Sequence, residues 1–320
     1  MGTTDRADAA REWERPQGSS EVRMFLARHA RVCSAPPRAT RGPPMHNRIG
    51  VCSWSLQASF PRELVERVHA CGLSAVQLAL GPLRTGAWGL NETVTALRAG
   101  KVHLCSGMMA AEGEDYTSLE SIRRTGGVRP DENWAATRAR AAVAAELARD
   151  LGLDLVTLHA GFLPSGADDP EREKLVGRVR ELVDVFADSG ITVGLETGQE
   201  TADTLLGVLS ELRRPSVGVN FDPANMLLYG MGDPVDALTR LAPFVRQIHI
   251  KDALPSGAPD TWGSEVPVGT GAVDWARFFE VLREQEVDVD LLIEREAGED
   301  RVGDITTARD LIRGFAPPPA

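Results

Sequence analysis

The stretch GVNFDPANMLLYG, residues 218–230, carries the pattern on which the fold turns. With Val217 before it, the run to Phe221 is apolar enough for a buried strand, and Pro223 stops that strand from continuing. Asp222 therefore stands at the carboxyl end of a core strand. An acid in that place raises the question of what needs it.

The same rhythm repeats on both sides. Upstream, IGVCSW (49–54), AVQLAL (75–80), VHLCSGMM (102–109), LVTLHAG (155–161) and ITVGLE (191–196) read as strands; downstream, VRQIHIK (245–251) and LLIERE (291–296) do. Most are apolar on both faces, as parallel strands covered by helices are. Helical patterns fill the gaps. PRELVERVHACG (61–72) opens on proline and closes on glycine, and ENWAATRARAAVAAELARDLG (132–152) is amphipathic and also ends at glycine. Further helices are expected near 91–99, 171–189, 201–213, 233–242, 274–285 and 303–314. Eight strand–helix units over this length predict an α/β protein of the (β/α)8 TIM-barrel class. The alternative is a doubly wound open sheet, but no G-x-G-x-x-G or G-x-x-x-x-G-K-[ST] follows any strand. Two connections, about 110–133 and 253–272, are long and both follow strands. In a barrel they lie at the face where sites are built.

Composition narrows the function classes. The 320 residues carry a formal net charge of −11, against a surface made for nucleic-acid phosphates. Hydrophobic residues make up 42%, yet no uninterrupted apolar run is long enough for a membrane span. Cys33, Cys52, Cys71 and Cys105 form no C-x-x-C pair, and read as buried thiols of a reducing cytoplasm. The first 44 residues, rich in Arg, Ala and Pro, read as a disordered extension or as sequence upstream of a start at Met45, with a short helix near 21–30. The expected division is an extension over 1–44, one catalytic barrel over 45–316, and a frayed end over 317–320.

The last four strands all place a polar group at or near their carboxyl ends: Glu196, Asp222, His249 and Glu294. On neighbouring barrel strands these four side chains converge. Three carboxylates crowded together repel and resist desolvation unless a cation joins them. Three oxygens and one imidazole nitrogen suit one divalent ion: Mn²⁺, Mg²⁺, Co²⁺ or Zn²⁺.

The motifs LET, NFDPAN, QIHIKDA, VPVGTGAVDW and IERE, in this order, resemble the xylose isomerase-like TIM-barrel superfamily, and within it the sugar phosphate isomerase/epimerase branch. The resemblance covers residues 48–314. It implies a single divalent metal on Glu196, Asp222, His249 and Glu294, with Glu196 and Glu294 also moving the proton on opposite faces of a ketose. An α-hydroxy ketone chelated by such a metal loses its neighbouring C–H proton to a carboxylate and passes through an enediolate. Proton return to the adjacent carbon isomerises; return to the opposite face epimerises.

One position departs from the pattern. Where many such epimerases carry Asp-x-x-His, this chain has Asn225, which hydrogen-bonds but does not titrate near neutral pH. The other expected substrate-binding residues are His159 after strand four, Lys251 two residues beyond His249, Glu265 in the long loop, and Trp54 as an apolar wall. Glu296 is expected to support the site. His69 and His103 read as structural.

A metal-dependent lyase or dehydratase acting on a keto-inositol or an oxidised glycoside begins with the same proton abstraction and remains the alternative. Apurinic endonucleases of the superfamily imply three zinc ions and more histidines than the six present. An inactive sugar-binding barrel is opposed by the complete ligand set. The expected partner is a small carbohydrate, with no nucleic acid and no membrane; the resemblance admits a homo-oligomer.

Overall fold

A computed structural model describes residues 48–166, 168–258 and 261–315. The extension expected over 1–44, its helix near 21–30, and the end over 317–320 lie outside these residues. Ten strands form: β1 (Ile49–Cys52), β2 (Ala75–Ala79), β3 (His103–Met108), β4 (Leu155–Leu158), β5 (Thr192–Glu196), β6 (Val217–Phe221), β7 (Val245–Ile250), β8 (Asp252–Leu254), β9 (Ser264–Val266) and β10 (Asp290–Ile293). Eight of them close a barrel in the order β1-β10-β7-β6-β5-β4-β3-β2, while β8 and β9 make a separate antiparallel hairpin. β1 pairs in parallel with both β2 and β10, so the sheet has no edge and the open-sheet alternative falls away. The fold is a (β/α)8 TIM barrel.

The helices cover the barrel as their apolar spacing dictates. In Pro170–Ala187 the buried Leu175, Val176, Val179, Leu182, Val183 and Phe186 recur at helical intervals. Each large side chain buried in this way stabilises the fold by roughly 1.5–3 kcal/mol. Asp169 caps that helix by accepting from Glu171 N at 2.8 Å, and Pro170 follows it.

Several boundaries differ from the sequence reading. The strand expected to reach Trp54 stops at Cys52, and a 3₁₀ turn, Ser53–Leu56, carries Trp54 toward the barrel mouth. The strand expected to reach Glu296 stops at Ile293, although Glu294 N still donates to Ile250 O at 3.1 Å. The long connections are not structureless: one holds the helix Leu119–Thr125 and the other the β8–β9 hairpin. Short helices at Gly81–Thr85 and Pro223–Tyr229 also appear. Five to seven residues are too few to display a helical period.

The barrel interior has a polar layer. Gln77, Ser106, Thr157, Asn220 and Gln247 are all essentially fully buried. Polar groups survive there only when they satisfy one another. Ser106 Oγ donates to Gln247 Oε1 at 2.5 Å, Gln247 Nε2 donates to Asn220 Oδ1 at 3.1 Å, and Gln77 Nε2 donates to Thr157 Oγ1 at 2.8 Å.

Candidate metal centre

The register brings the four strand-end residues to one level. Glu196 lies beside Asn220 on β6, and His249 on β7 lies beside Leu292, two residues before Glu294. Glu196, Asp222, His249 and Glu294 are all buried, each with a ligand atom within 4.8 Å of the others'. His249 Nδ1 lies 3.3 Å from Glu294 Oε2, 3.4 Å from Glu196 Oε1 and 3.8 Å from Asp222 Oδ2.

Two atoms in this cluster test whether an ion fits. Asp222 Oδ1 accepts from Asn225 N at 3.0 Å and so caps the helix Pro223–Tyr229, but Asp222 Oδ2 has no hydrogen-bond partner. His249 Nδ1 has none either. Its orientation is set from behind. Thr157 donates its hydroxyl to Met108 Sδ at 2.9 Å and accepts from Gln77 Nε2, which turns Gln77 Oε1 toward the ring. His249 Nε2 sits 2.7 Å from that oxygen and donates to it. Asn220 Nδ2 also approaches Nε2 at 3.1 Å, but the shorter contact governs, because Gln77 Oε1 can only accept and so calls for the proton on Nε2. The Nδ1 lone pair thus faces the three carboxylates, as the imidazole of a metal ligand with an anchored second nitrogen does. The residues present fit a divalent ion.

Electrostatics of the metal-free cluster agree. Burial pushes Asp222 up to about 6, with Lys251 pulling the other way. Burial also opposes the charge on Glu294, but Lys251 and His249 hold it well below the usual carboxylate range. Glu196 is likewise held low against burial by His159 and His249. Burial disfavours the imidazolium of His249, yet Cys52, Glu196 and Glu294 hold its pKa well above the ordinary value. Without a metal, protons stand in for the missing positive charge.

The other expected site residues surround this cluster. Trp54 Nε1 donates to Glu294 Oε1 at 2.7 Å. Lys251 Nζ donates to Glu296 Oε2 at 2.7 Å, to Glu294 Oε2 at 3.0 Å and to Asn225 Oδ1 at 3.3 Å. Asn225 Nδ2 donates to Glu196 Oε1 at 3.0 Å, so Asn225 braces two ligands, one through its backbone and one through its amide. His159 Nε2 lies 3.5 Å from the same Glu196 oxygen. The Glu265 carboxylate is fully engaged: it accepts from Arg295 Nη1 at 2.7 Å and from Glu296 N and Ala297 N, tying the β8–β9 hairpin to the segment after β10. All five border one cavity of about 540 Å³ at the barrel mouth.

Sequence reasoning missed Gln77, Thr157 and Asn220, which orient the ligands. Their signal was available: a glutamine inside AVQLA and an asparagine inside VGVNF are polar residues in strands buried on both faces. It also missed Asp252. That carboxylate accepts from Ala253 N, Gly269 N, Gly271 N, Val273 N and Trp275 Nε1 at 2.9–3.2 Å, which folds VPVGTGAVDW around it. A Cβ on Gly271 would come within 2.1 Å of Asp252 Oδ1, so only glycine lets the loop approach this closely.

Comparisons with known proteins place this architecture. Residues 65–315 match the family described as xylose isomerase-like TIM barrel. The crystal structure of a xylose isomerase domain protein from Planctomyces limnophilus is 32% identical, with a TM-score of 0.77, covering 85% of this chain and 98% of that one. D-allulose 3-epimerase from Methylomonas sp., solved with D-allulose, shares the fold at 17% identity and a TM-score of 0.64, covering 85% of this chain and 98% of the other. A 3-dehydroshikimate dehydratase from Bacillus anthracis is 35% identical over 86 residues, 26% of this chain; the match spans 30% of the dehydratase's length. On the closed barrel and the match over residues 65–315, the chain belongs to the xylose isomerase-like TIM-barrel family.

Proposed function

We propose that the protein is a divalent-metal-dependent isomerase or epimerase acting on a ketose or related keto-sugar. The observation that carries this reading is the buried cluster of three carboxylates and one imidazole, in which Asp222 Oδ2 and His249 Nδ1 have no hydrogen-bond partner and lie 3.8 Å apart. Glu196, Asp222, His249 and Glu294 hold the ion, with Mn²⁺ first and Mg²⁺, Co²⁺ or Zn²⁺ as alternatives. When bound, the ion polarises the substrate carbonyl and offsets the negative charge that develops on its oxygen.

The chain's own residues do the rest. Glu196 and Glu294 take and return the proton at a carboxylate oxygen. Trp54 and Lys251 fix the Glu294 carboxylate, and Asn220 and Asn225 fix that of Glu196. Each base is held in one orientation before substrate arrives. On this reading Lys251, released from one of its three acceptors, and His159 bind substrate oxygens, Asn225 offers its amide, and Trp54 walls the sugar ring. Glu265 acts on this reading by holding the hairpin over the mouth. The two groups able to hold an ion among the described residues share His249 and Glu294, which supports one metal per chain rather than the three of an endonuclease.

A second reading, a metal-dependent lyase or dehydratase, is favoured by the partial match to the dehydratase and shares the first proton abstraction. We place the reaction in one catalytic domain over residues 45–316, in the cytoplasm, with a small carbohydrate as partner; assembly of like subunits belongs to the same proposal. No helix among the described residues is long and apolar enough to cross a membrane.

The test is metal content and proton exchange. Purified protein is expected to hold a single divalent ion, to lose it in Glu196→Gln/Glu294→Gln, and to incorporate deuterium from D₂O beside the carbonyl of a ketose such as D-allulose. A wild-type chain that takes up no ion from Mn²⁺, Mg²⁺, Co²⁺ or Zn²⁺ solutions rules the mechanism out.

A further inference from the structure

The cavity extends well past the four ligands. These come from β5, β6, β7 and the residue after β10, one side of the barrel, and the cavity crosses the mouth to the side built by β2 and β3. There its wall is Leu80 and Gly81 after β2, Met108 and Met109 at the end of β3, and Ala144 of the helix Asp131–Leu151. This patch is apolar and offers little to a hydroxyl, while Arg84, Glu114, Tyr116 and Arg140 supply polar groups elsewhere in the lining. The Met108 sulfur already accepts from Thr157, and Arg140 donates through Nη1 and Nη2 to the carbonyls of Ala110 and Ala111 and to Glu112, leaving only its Nε–H without a hydrogen-bond partner.

Size and chemistry then point the same way. At roughly 30 Å³ per water, the 540 Å³ cavity takes about eighteen water-sized groups, more than the about twelve non-hydrogen atoms of a hexose. A second sugar laid against Leu80, Gly81, Met108, Met109 and Ala144 would strip its hydroxyls of water without replacing their hydrogen bonds. An apolar group there gains from burial, and two methionines adapt their shape to it. We infer that, given the chelating chemistry proposed above, the substrate is a keto-sugar bearing an apolar substituent on a ring carbon remote from the ketone. The β2–β3 wall is the binding site of that substituent.

Gly81 provides the test. A Cβ added there meets no atom within 4 Å, and the residue borders the cavity, so a larger side chain takes up substituent space without displacing the scaffold. The magnesium-loaded full chain is titrated with phenyl and methyl 3-keto-β-D-glucosides, which share the reacting ring and differ in the substituent alone. Tryptophan fluorescence reads Kd, and deuterium incorporation in D₂O reads the chemistry. The phenyl compound is expected to bind about tenfold tighter or better, and Gly81→Leu to bring the two affinities together, with Gly81→Ala lying between.

Equal affinities in the wild-type chain, or binding of neither compound, overturn the inference. So does a phenyl preference that survives in Gly81→Leu. A phenyl preference without deuterium incorporation supports the wall assignment while removing the proposed reaction. Exchange of both compounds at equal affinity supports the reaction and removes the wall.

Discussion

Asp222 and Asp252 are near twins by position. Each lies at or just past the carboxyl end of a barrel strand, and their exposures are 0% and 1%. Their surroundings are opposite. Both Asp252 oxygens are occupied, by four backbone N–H groups and an indole N–H, and no second acid takes part in that set of bonds. Asp222 has one oxygen capping a helix and one with no hydrogen bond, among two glutamates and a histidine with Lys251 Nζ 4.0 Å away. A buried carboxylate with a full set of donors is scaffold; one left short of donors among other acids is a site awaiting a cation. Burial alone does not separate them.

Substitution is the direct way to break this contrast. Asp252→Ala strands five donors in a buried loop, and is expected to cost about 3 kcal/mol. In a domain of this size that lowers Tm by roughly 6–12 °C, read by thermal unfolding of the metal-free protein. A Tm within a degree or two of wild type would mean that the loop holds without its anion.

Asp222→Asn should behave in the reverse manner. Asparagine still caps the helix, so the metal-free protein keeps its Tm or gains. What vanishes is the stabilisation by added metal, about 2.7 kcal/mol when the ion stands a hundredfold above its Kd. An undiminished metal-induced rise in Tm would remove Asp222 from the ligand set.

A subtler change sharpens the contrast from behind the ligands. Gln77→Leu deletes the acceptor of His249 Nε2–H while leaving all four ligands in place. Metal affinity is expected to fall about tenfold to a hundredfold, measured by competition with a chelator. Unchanged affinity would show that the polar layer does not orient the imidazole.

The last effect is one of pH. Burial pushes the Asp222 carboxyl up to about 6 in the metal-free fold, from an ordinary value of 3.8. Between these values the folded chain binds a proton that the unfolded chain does not, so on this group's account stability falls as pH rises from about 4 to 6 and is level above. Metal binding has the opposite sense, weakening as pH drops below 6 because the proton competes for the same oxygen. The difference in stability between wild type and Asp222→Asn, followed over that window without metal, isolates the first effect. A difference that does not change with pH would place the Asp222 pKa in the ordinary range.

Much of this was legible in the chain itself. Apolar runs that end on Glu196, Asp222, His249 and Glu294 state both the barrel and the level of its site, because three acids beside an imidazole on four neighbouring strands repel one another unless a cation joins them. The supporting residues were hidden by the same logic. Gln77, Asn220 and Gln247 sit mid-strand and look like lapses in an apolar run until the closed barrel shows that they share one interior. The role of Glu265 was legible as a place but not as a set of bonds. Its loop was expected to border the site, whereas its engagement with Arg295 and two backbone N–H groups depends on a hairpin that the sequence pattern does not announce.

The order of these parts along the chain has an evolutionary consequence. Every proposed ligand lies between residues 196 and 294, while the apolar wall is drawn from residues 80–144. Chemistry and selectivity therefore occupy separate, contiguous stretches of the gene. Recombination near the loop after β4 exchanges the half that chooses the substrate without moving a ligand of the half that reacts with it. The exchange is not free, because Trp54, Gln77, Ser106 and His159 reach from the first half to Glu294, His249, Gln247 and Glu196 of the second.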